Sequence, residues 1–433
     1  MTPVTVASEL AQLLRLERFR RLFTVRVVSQ SADGLFQVGL ATLFFFSPER
    51  QTSAGQVAVA FAVLLAPFTI VGPWAGVLLD RWRRRQVLVV ANVVRAVVCG
   101  AIVVVMVATP PGEPLGASVY VLALATLSVN RFLLSALSAG LPRVVAGPLL
   151  LTANSLTPTL GAVAAGVGAA GGLVLGLALP EGRATDAGSV AVSAVAMAVA
   201  AALALRLRAD ELGPERGAVG APAGVQLRRV GRDLADGARH LADRRTPGQA
   251  LLAMALGRFL FGLALVASIL VSRQILADPA DTTAGLSTFA LVAAVTGVGF
   301  GLAVVLTPVL SPAIGPQRWI AACLGLGAVA QVLLVPEPTL VLVCAAGGLL
   351  GLSSQAAKIA VDTVVHRDTA DEFRGRAFAL YDVLYNAALM GAAALAALLL
   401  PDDGHAPALM VAVGVAYAVG AVLMATRAAR EAH

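Results

Sequence analysis

The chain has 433 residues, of which 58% are hydrophobic and only 13% charged, with a mean hydropathy of +0.85. A soluble chain of this length needs a charged surface that this one cannot supply, so composition excludes a soluble globular protein and points to the bilayer as solvent. The net charge of +7 and pI near 10.1 would suit nucleic acid, but the basic residues are distributed as in a membrane topology, which argues against a nucleic-acid partner.

Crossing about 30 Å of hydrocarbon takes roughly 20 apolar residues in a helix. Windows of that kind recur twelve times. The first six are 22–46, 55–79, 86–108, 115–139, 149–179 and 188–207. The charged segment RLERFRR precedes the first window, which is far longer than the apolar core of a signal peptide, so a retained span is expected. The only long polar interruption follows at 208–248. Its first part is rich in Gly, Pro and Ala and reads as a flexible linker. From Val225 to Arg244, apolar residues recur at helical intervals between arginines, the pattern of an amphipathic helix on the inner membrane surface. Six more windows follow at 249–272, 285–311, 318–335, 338–362, 375–400 and 406–426.

The expected organisation is therefore an N-terminal six-helix bundle over 1–207, a cytoplasmic linker over 208–248 and a C-terminal six-helix bundle over 249–433. Only Arg50, Arg183 and Arg273 fall on odd-numbered loops, while the N-terminus, even-numbered loops and C-terminus are strongly basic. That asymmetry places both termini in the cytoplasm, with the chain multi-pass in the cytoplasmic membrane. Two bundles with a path between them permit alternating access by rocking. Sequence echoes between the halves, such as Arg26 with Arg258, do not amount to a repeat.

GVLLDRWRRR, Gly76 to Arg85, places an aspartate and four arginines between the second and third windows. It resembles the signature between the second and third helices of the major facilitator superfamily, with Gly76, Asp80, Arg81, Arg84 and Arg85 matching, and Trp82 and Arg83 departing from it. The resemblance implies an all-α membrane protein with the twelve-transmembrane-helix major facilitator fold, and a cytoplasmic latch at those residues. NRFLLSALSA, Asn130 to Ala139, is similar to a fourth-helix element of proton-coupled members. The glycine-rich run from Gly161 to Gly172 resembles the fifth-helix element of exporters, without its usual prolines. DEFRGRAFAL, Asp371 to Leu380, resembles the segment before the eleventh helix in macrolide and siderophore exporters, and brings Arg374 and Arg376 into the gating set. The resemblance covers about 20–427, and the C-terminal half has no second copy of the latch, only Arg318 in LSPAIGPQRW.

A charge deep in a bilayer is costly unless paired, hydrated or neutralised, so each intramembrane ionisable group is a functional candidate. Asp33 in SQSADGLFQVG is the first proton-coupling candidate, with a purely structural ion pair the competing reading. Arg131 is the best candidate for its cationic partner. Arg26 lies seven residues before Asp33, on a shared face but roughly 10 Å away along the axis. Arg26, Arg95 and Arg258 are candidates for the substrate cavity or for structural pairs, and Phe36 and Gln37 are expected to line that cavity. Lys358 and Asp362 are four positions apart and can pair on one face, as part of a gate. Asp382 is a second coupling candidate, Tyr385 and Asn386 extend its polar stripe into the cavity, and Tyr381 is assigned to the cytoplasmic mouth.

These features favour a proton-coupled secondary active exporter of hydrophobic or amphipathic small molecules, its direction and substrate class resting on the resemblance. The alternative is a transporter of lipids, lysolipids or lipidated metabolites, which intramembrane arginines would suit; a non-transporting sensor is a further reading. An enzyme is not expected, since the four histidines and three cysteines make no metal pattern and no phosphate-binding loop is present. No cofactor is implied. The expected partners are membrane lipids, protons and the substrate, and a monomer contains both bundles.

Overall fold

The structure, a computed structural model, describes residues 11–45, 55, 59, 82–110, 113, 115–145, 149–178, 183–213, 232, 239, 245–279, 281–369 and 371–431. Those residues form eleven long helices. They are α1 (Glu17–Phe45), α2 (Arg84–Ala108), α3 (Ala117–Val144), α4 (Leu149–Ala178), α5 (Arg183–Ala204), α6 (Arg245–Gln274), α7 (Thr282–Ile314), α8 (Pro316–Val332), α9 (Leu340–Asp368), α10 (Asp371–Leu399) and α11 (Pro407–Glu431). Each coincides with one of the expected windows; the second window, 55–79, and the expected amphipathic helix over 225–244 lie outside the described residues apart from isolated positions.

Nine of the described helices are long and apolar enough to cross a membrane. Of the other two, α1 carries Arg26, Gln30, Asp33 and Gln37 in its interior, and α8 has only 17 residues. Large apolar side chains face outward along these helices: Val107 is 72% exposed, Val309 68%, Val341 76% and Leu398 80%. In water that pattern would be a severe liability; in hydrocarbon it is the expected outer face, because helices satisfy their own backbone and leave apolar side chains for the lipid.

The described helices fall into two compact units, α1–α5 and α6–α11. In the first, α1 packs on α4 and α5, and α2 packs on α3 and α5. In the second, α6 packs on α10 and α11, and α8 packs on α9 and α11. Counting helices by span, each unit repeats the same pairings: first with fifth and sixth, third with fourth and sixth. This internal symmetry is carried by topology rather than by matching residues.

Small residues make these pairings close. A Cβ at Gly34 would stand 1.8 Å from the Ala165 carbonyl oxygen, and one at Gly168 would stand 1.9 Å from that of Ser31. The Ser31 hydroxyl donates to the Ala164 carbonyl at 3.0 Å across the same seam. The glycine-rich run of α4 therefore lets two backbones touch, the main source of helix association where lipid removes the hydrophobic drive.

Candidate functional site

The polar interior of the first unit is built where α1, α2 and α3 meet. Asp33 on α1 and Arg95 on α2 form an ion pair in which the side chains are 1% and 0% exposed. Arg95 Nη2 donates to Asp33 Oδ1, while Arg95 Nη1 donates to Ser29 Oγ at 3.1 Å and to Asn92 Oδ1 at 3.4 Å. Ser29 Oγ donates to Asn92 Oδ1 at 3.1 Å, and Asn92 Nδ2 donates to the Leu88 carbonyl at 2.9 Å, fixing the amide. Helical spacing explains the assembly: Ser29 lies one turn before Asp33, and Asn92 three residues before Arg95, so each helix presents two polar groups on one face.

The network is incompletely filled. Asp33 Oδ2, Arg95 Nε and the Asn130 side-chain oxygen are buried without hydrogen-bond partners. The Asn130 side chain on α3 also acts on the Asp33 carboxylate as a hydrogen-bonding neighbour, while Oδ2 makes no hydrogen bond of regular geometry and so retains a place where a proton can be added. Arg26, 6% exposed, sits on the same helix with its Nε buried and unpartnered, against α4, where a Cβ at Gly161 would come within 2.7 Å of it.

The second unit holds a different constellation. Arg258 on α6 places its guanidinium carbon 4.3 Å from the Tyr385 ring centroid and 5.3 Å from that of Phe261. Tyr385 stacks on Tyr381, one turn earlier on α10, with centroids 6.1 Å apart and planes 9° from parallel. Lys358 Nζ on α9 stands 5.3 Å from the Tyr381 ring and bonds Asp362 at 3.1 Å. Two cations thus flank a pair of tyrosine rings, an arrangement favoured by the rings' negative faces.

A third cluster ties one end of α2 to the turn after α5. Arg84 donates through Nη1 to the Leu212 carbonyl at 2.9 Å and through its backbone N–H to the Gly213 carbonyl at 3.0 Å. Arg85 donates to the Leu205 carbonyl at 3.1 Å, and Arg83 faces Asp210 at 3.6 Å. Positive side chains beside the carbonyl end of α5 complement its dipole. Gly213 takes φ +70, which a residue with a Cβ rarely adopts.

Several expectations need correction. Arg131, expected as the partner of Asp33, is half-buried on α3 and does not form that pair; Arg95, for which a structural pair is one of the two expected readings, does, because its helix brings it and Asn92 to the same level as Ser29 and Asp33. Phe36 is fully buried rather than cavity-lining, and Gln37, one residue on and about 100° around the helix, is exposed. Asp382 is exposed rather than buried, because α10 turns Tyr381, Leu389 and Ala392 inward; Asn386 Nδ2 bonds the Asp382 carbonyl at 2.7 Å, not its carboxylate. Lys358 and Asp362 do pair as their spacing indicates. Gly76, Asp80 and Arg81 lie outside the described residues, as do the side chains of Arg374 and Arg376. Ser29, Asn92 and Asn130 were not singled out from sequence; their one-turn spacing from Asp33 and Arg95, or adjacency to Arg131, was the available signal.

Helices with lipid-facing exteriors, paired in the same order in two units and carrying ionisable groups inside, define a multi-pass membrane transporter. Comparison with known proteins agrees. No protein-family model matches the chain. An uncharacterized MFS-type transporter of Mycobacterium tuberculosis is 35% identical over 409 residues, covering 94% of this chain and 90% of the relative. A counterpart from Mycobacterium bovis matches with the same figures. The chain belongs to this family of major facilitator transporters, and is not an enzyme. Among solved structures, a peptide transporter of the POT family superposes with a TM-score of 0.71 at 11% identity, covering 94% of each chain. The nucleoside transporter NupG superposes with a TM-score of 0.63 at 13% identity, covering 94% of this chain and 97% of that one. The fold is accordingly the twelve-helix major facilitator fold.

Proposed function

We propose that the protein is a proton-coupled exporter of hydrophobic or amphipathic small molecules, working by alternating access in the cytoplasmic membrane with both termini inside. The observation that carries this reading is the Asp33–Arg95 pair, fully buried yet with Oδ2 of the carboxylate open. A proton entering at Oδ2 neutralises Asp33 and weakens its hold on Arg95, which keeps Ser29 and Asn92 as acceptors. Releasing the proton restores the pair. A buried ion pair that gains or loses a proton changes the cost of burying its partner, and this is the kind of local charge change that can bias two conformations.

In this scheme Arg131, Arg26 and Gln37 face the transport path, while Arg258, Tyr385 and Asn386 contact substrate. The Gly76–Arg85 segment, Lys358, Asp362, Tyr381, Arg374 and Arg376 control cytoplasmic opening, and 208–248 links two bundles that function as a monomer. Lipid or lysolipid transport is the second reading, favoured by Arg26 and Arg258, whose guanidinium groups lack carboxylate partners among the described residues.

The test is flux of a fluorescent amphipathic compound into proteoliposomes under an imposed pH gradient, for the intact chain and Asp33→Asn. Gradient-driven flux lost in the variant while gradient-independent exchange persists is expected. Undiminished gradient-driven flux in folded Asp33→Asn removes Asp33 from coupling, and no flux of any amphiphile or lysolipid by the intact chain overturns the transport assignment.

A further inference from the structure

The cation–aromatic cluster of the second unit narrows the substrate class. Arg258 is half-buried, its Nε is buried without a hydrogen-bond partner, and no carboxylate lies within ion-pair distance among the described residues. Its guanidinium is held in place instead by two aromatic faces, Tyr385 and Phe261. The neighbouring cation, Lys358, has its counter-ion in Asp362.

A guanidinium fixed over a ring keeps its planar donor edge pre-organised, which is what bidentate recognition of a carboxylate or phosphate requires. The stacked Tyr381 and Tyr385, continued by Phe378 at 5.9 Å from Tyr381 and by His366 at 4.5 Å from Phe378, form an aromatic track leading along α10 from this cation. Tyr381 is itself buried between Tyr385 and Lys358, so the accessible part of the cluster is the half-buried Tyr385 and Phe378, which suits a ligand whose flat apolar body meets their exposed ring edges and whose anionic head meets Arg258.

We infer that the transported substrate is an anionic amphiphile with a planar apolar body, its carboxylate or phosphate bound by Arg258 above Tyr385; this rests on the transporter reading above. Cationic drugs are disfavoured at this site by Arg258 itself.

The experiment measures equilibrium binding to the full chain in lipid nanodiscs, using 2-naphthylacetate, the neutral 2-naphthylacetamide, the cationic (2-naphthyl)methyl-trimethylammonium, and 2-naphthylmethyl phosphate. The anions are expected to bind at least about tenfold more tightly than the amide, with the cation weakest. Arg258→Gln should reduce the anion preference to within about threefold, Tyr385→Leu should weaken all four ligands, and Tyr385→Phe should retain the preference. Arg258→Lys, which keeps charge without the planar fork, should retain only part of it and guards against a folding defect in Arg258→Gln. A carboxylate preference over phosphate, or the reverse, distinguishes free acids from phospholipid-like substrates. Equal binding of all four ligands, tighter binding of the cation, or an anion preference that survives Arg258→Gln would overturn the inference. Failure of the transport reading has a separate signature: anion-selective binding with no flux of the same naphthyl anions into proteoliposomes.

Discussion

Replacing Asp33 with asparagine leaves Arg95 charged, fully buried and held only by Ser29, Asn92 and the new amide oxygen. Breaking one side of a buried pair typically costs about 3–5 kcal/mol, because the remaining charge loses its compensation. The asparagine oxygen can still accept from Arg95 Nη2, so the lower end of that range applies, about 3 kcal/mol, a large part of a typical stability of about 5–15 kcal/mol. Arg95→Gln exposes the reverse problem, a buried carboxylate without its cation, and should cost a similar amount. With both charges gone, the double variant removes the cause of each penalty, so its loss should fall short of the summed single losses by about 2–3 kcal/mol. The assay is equilibrium unfolding of the four proteins in mixed micelles, with flux measured on the same preparations. Single losses below about 1 kcal/mol, or a double loss equal to the sum, would show that Asp33 and Arg95 are not mutually dependent and refute the reasoning. Recovery of stability in the double variant without recovery of gradient-driven flux would separate the pair's structural part from its coupling role.

Other substitutions probe the fold and its termini. Gly168→Leu should prevent recovery of folded protein by size-exclusion chromatography, since even a Cβ there would stand 1.9 Å from the Ser31 carbonyl oxygen, whereas Gly166→Ala, with nothing within 4 Å, should leave the thermal midpoint unchanged or slightly raised. Phe36→Ala empties a fully buried site and should cost about 3–5 kcal/mol in the same unfolding assay. Arg84→Ala removes the donor to the Leu212 carbonyl and should destabilise by about 1–2 kcal/mol, with faster proteolysis of the segment after α5 as a second readout. Lys358→Met should cost at most about 1 kcal/mol, because the pair with Asp362 is about a third exposed, so a larger effect on flux than on stability would place it in gating.

The spans were legible because hydrocarbon imposes a length and an apolarity that read directly from the chain. The pairings between them were not. Close packing of α1 on α4 depends on Gly34 and Gly168, while in the second unit a Cβ at Gly299 on α7 would stand 2.1 Å from the Gly348 carbonyl oxygen of α9. Different helix pairs use different small residues, so a repeat in packing leaves almost no repeat in sequence. The choice between Arg95 and Arg131 for Asp33 failed for a related reason. Both arginines lie on helices near α1, and helical periodicity fixes which residues share a face but not which face meets a neighbour. The companions of each arginine carried more information than its depth: Asn92 one turn before Arg95 continues a polar face that meets Ser29 and Asp33. The polar stripe over Asp382, Tyr385 and Asn386 misled by the opposite route, since Asn386 bonds the backbone and the carboxylate turns outward.

The two units carry similar buried charges among the described residues, so how the membrane potential acts on transport is set by the charge of the substrate. In the first, Asp33 and Arg95 cancel and Arg26 has no carboxylate partner among the described residues; in the second, Lys358 and Asp362 cancel and Arg258 is left with aromatic rings. Consider one proton entering per substrate leaving. Export of a monovalent cation then moves no net charge, a neutral molecule moves one positive charge inward, and a monovalent anion moves two. Each charge is worth about 2.3 kcal/mol per 100 mV, so with the interior negative the potential drives anion export doubly and leaves cation export to the pH gradient alone. Proteoliposomes clamped with a potassium diffusion potential separate the cases at fixed pH gradient. If the naphthyl anions are substrates, export corresponds to entry into inverted proteoliposomes, so an interior-positive potential of 100 mV should raise the accumulation ratio they can sustain there by the equivalent of about 4.6 kcal/mol, twice that for the neutral amide. An anion flux that ignores the potential would mean two charges are compensated elsewhere in the cycle, and the one-proton scheme built on Asp33 would have to be abandoned.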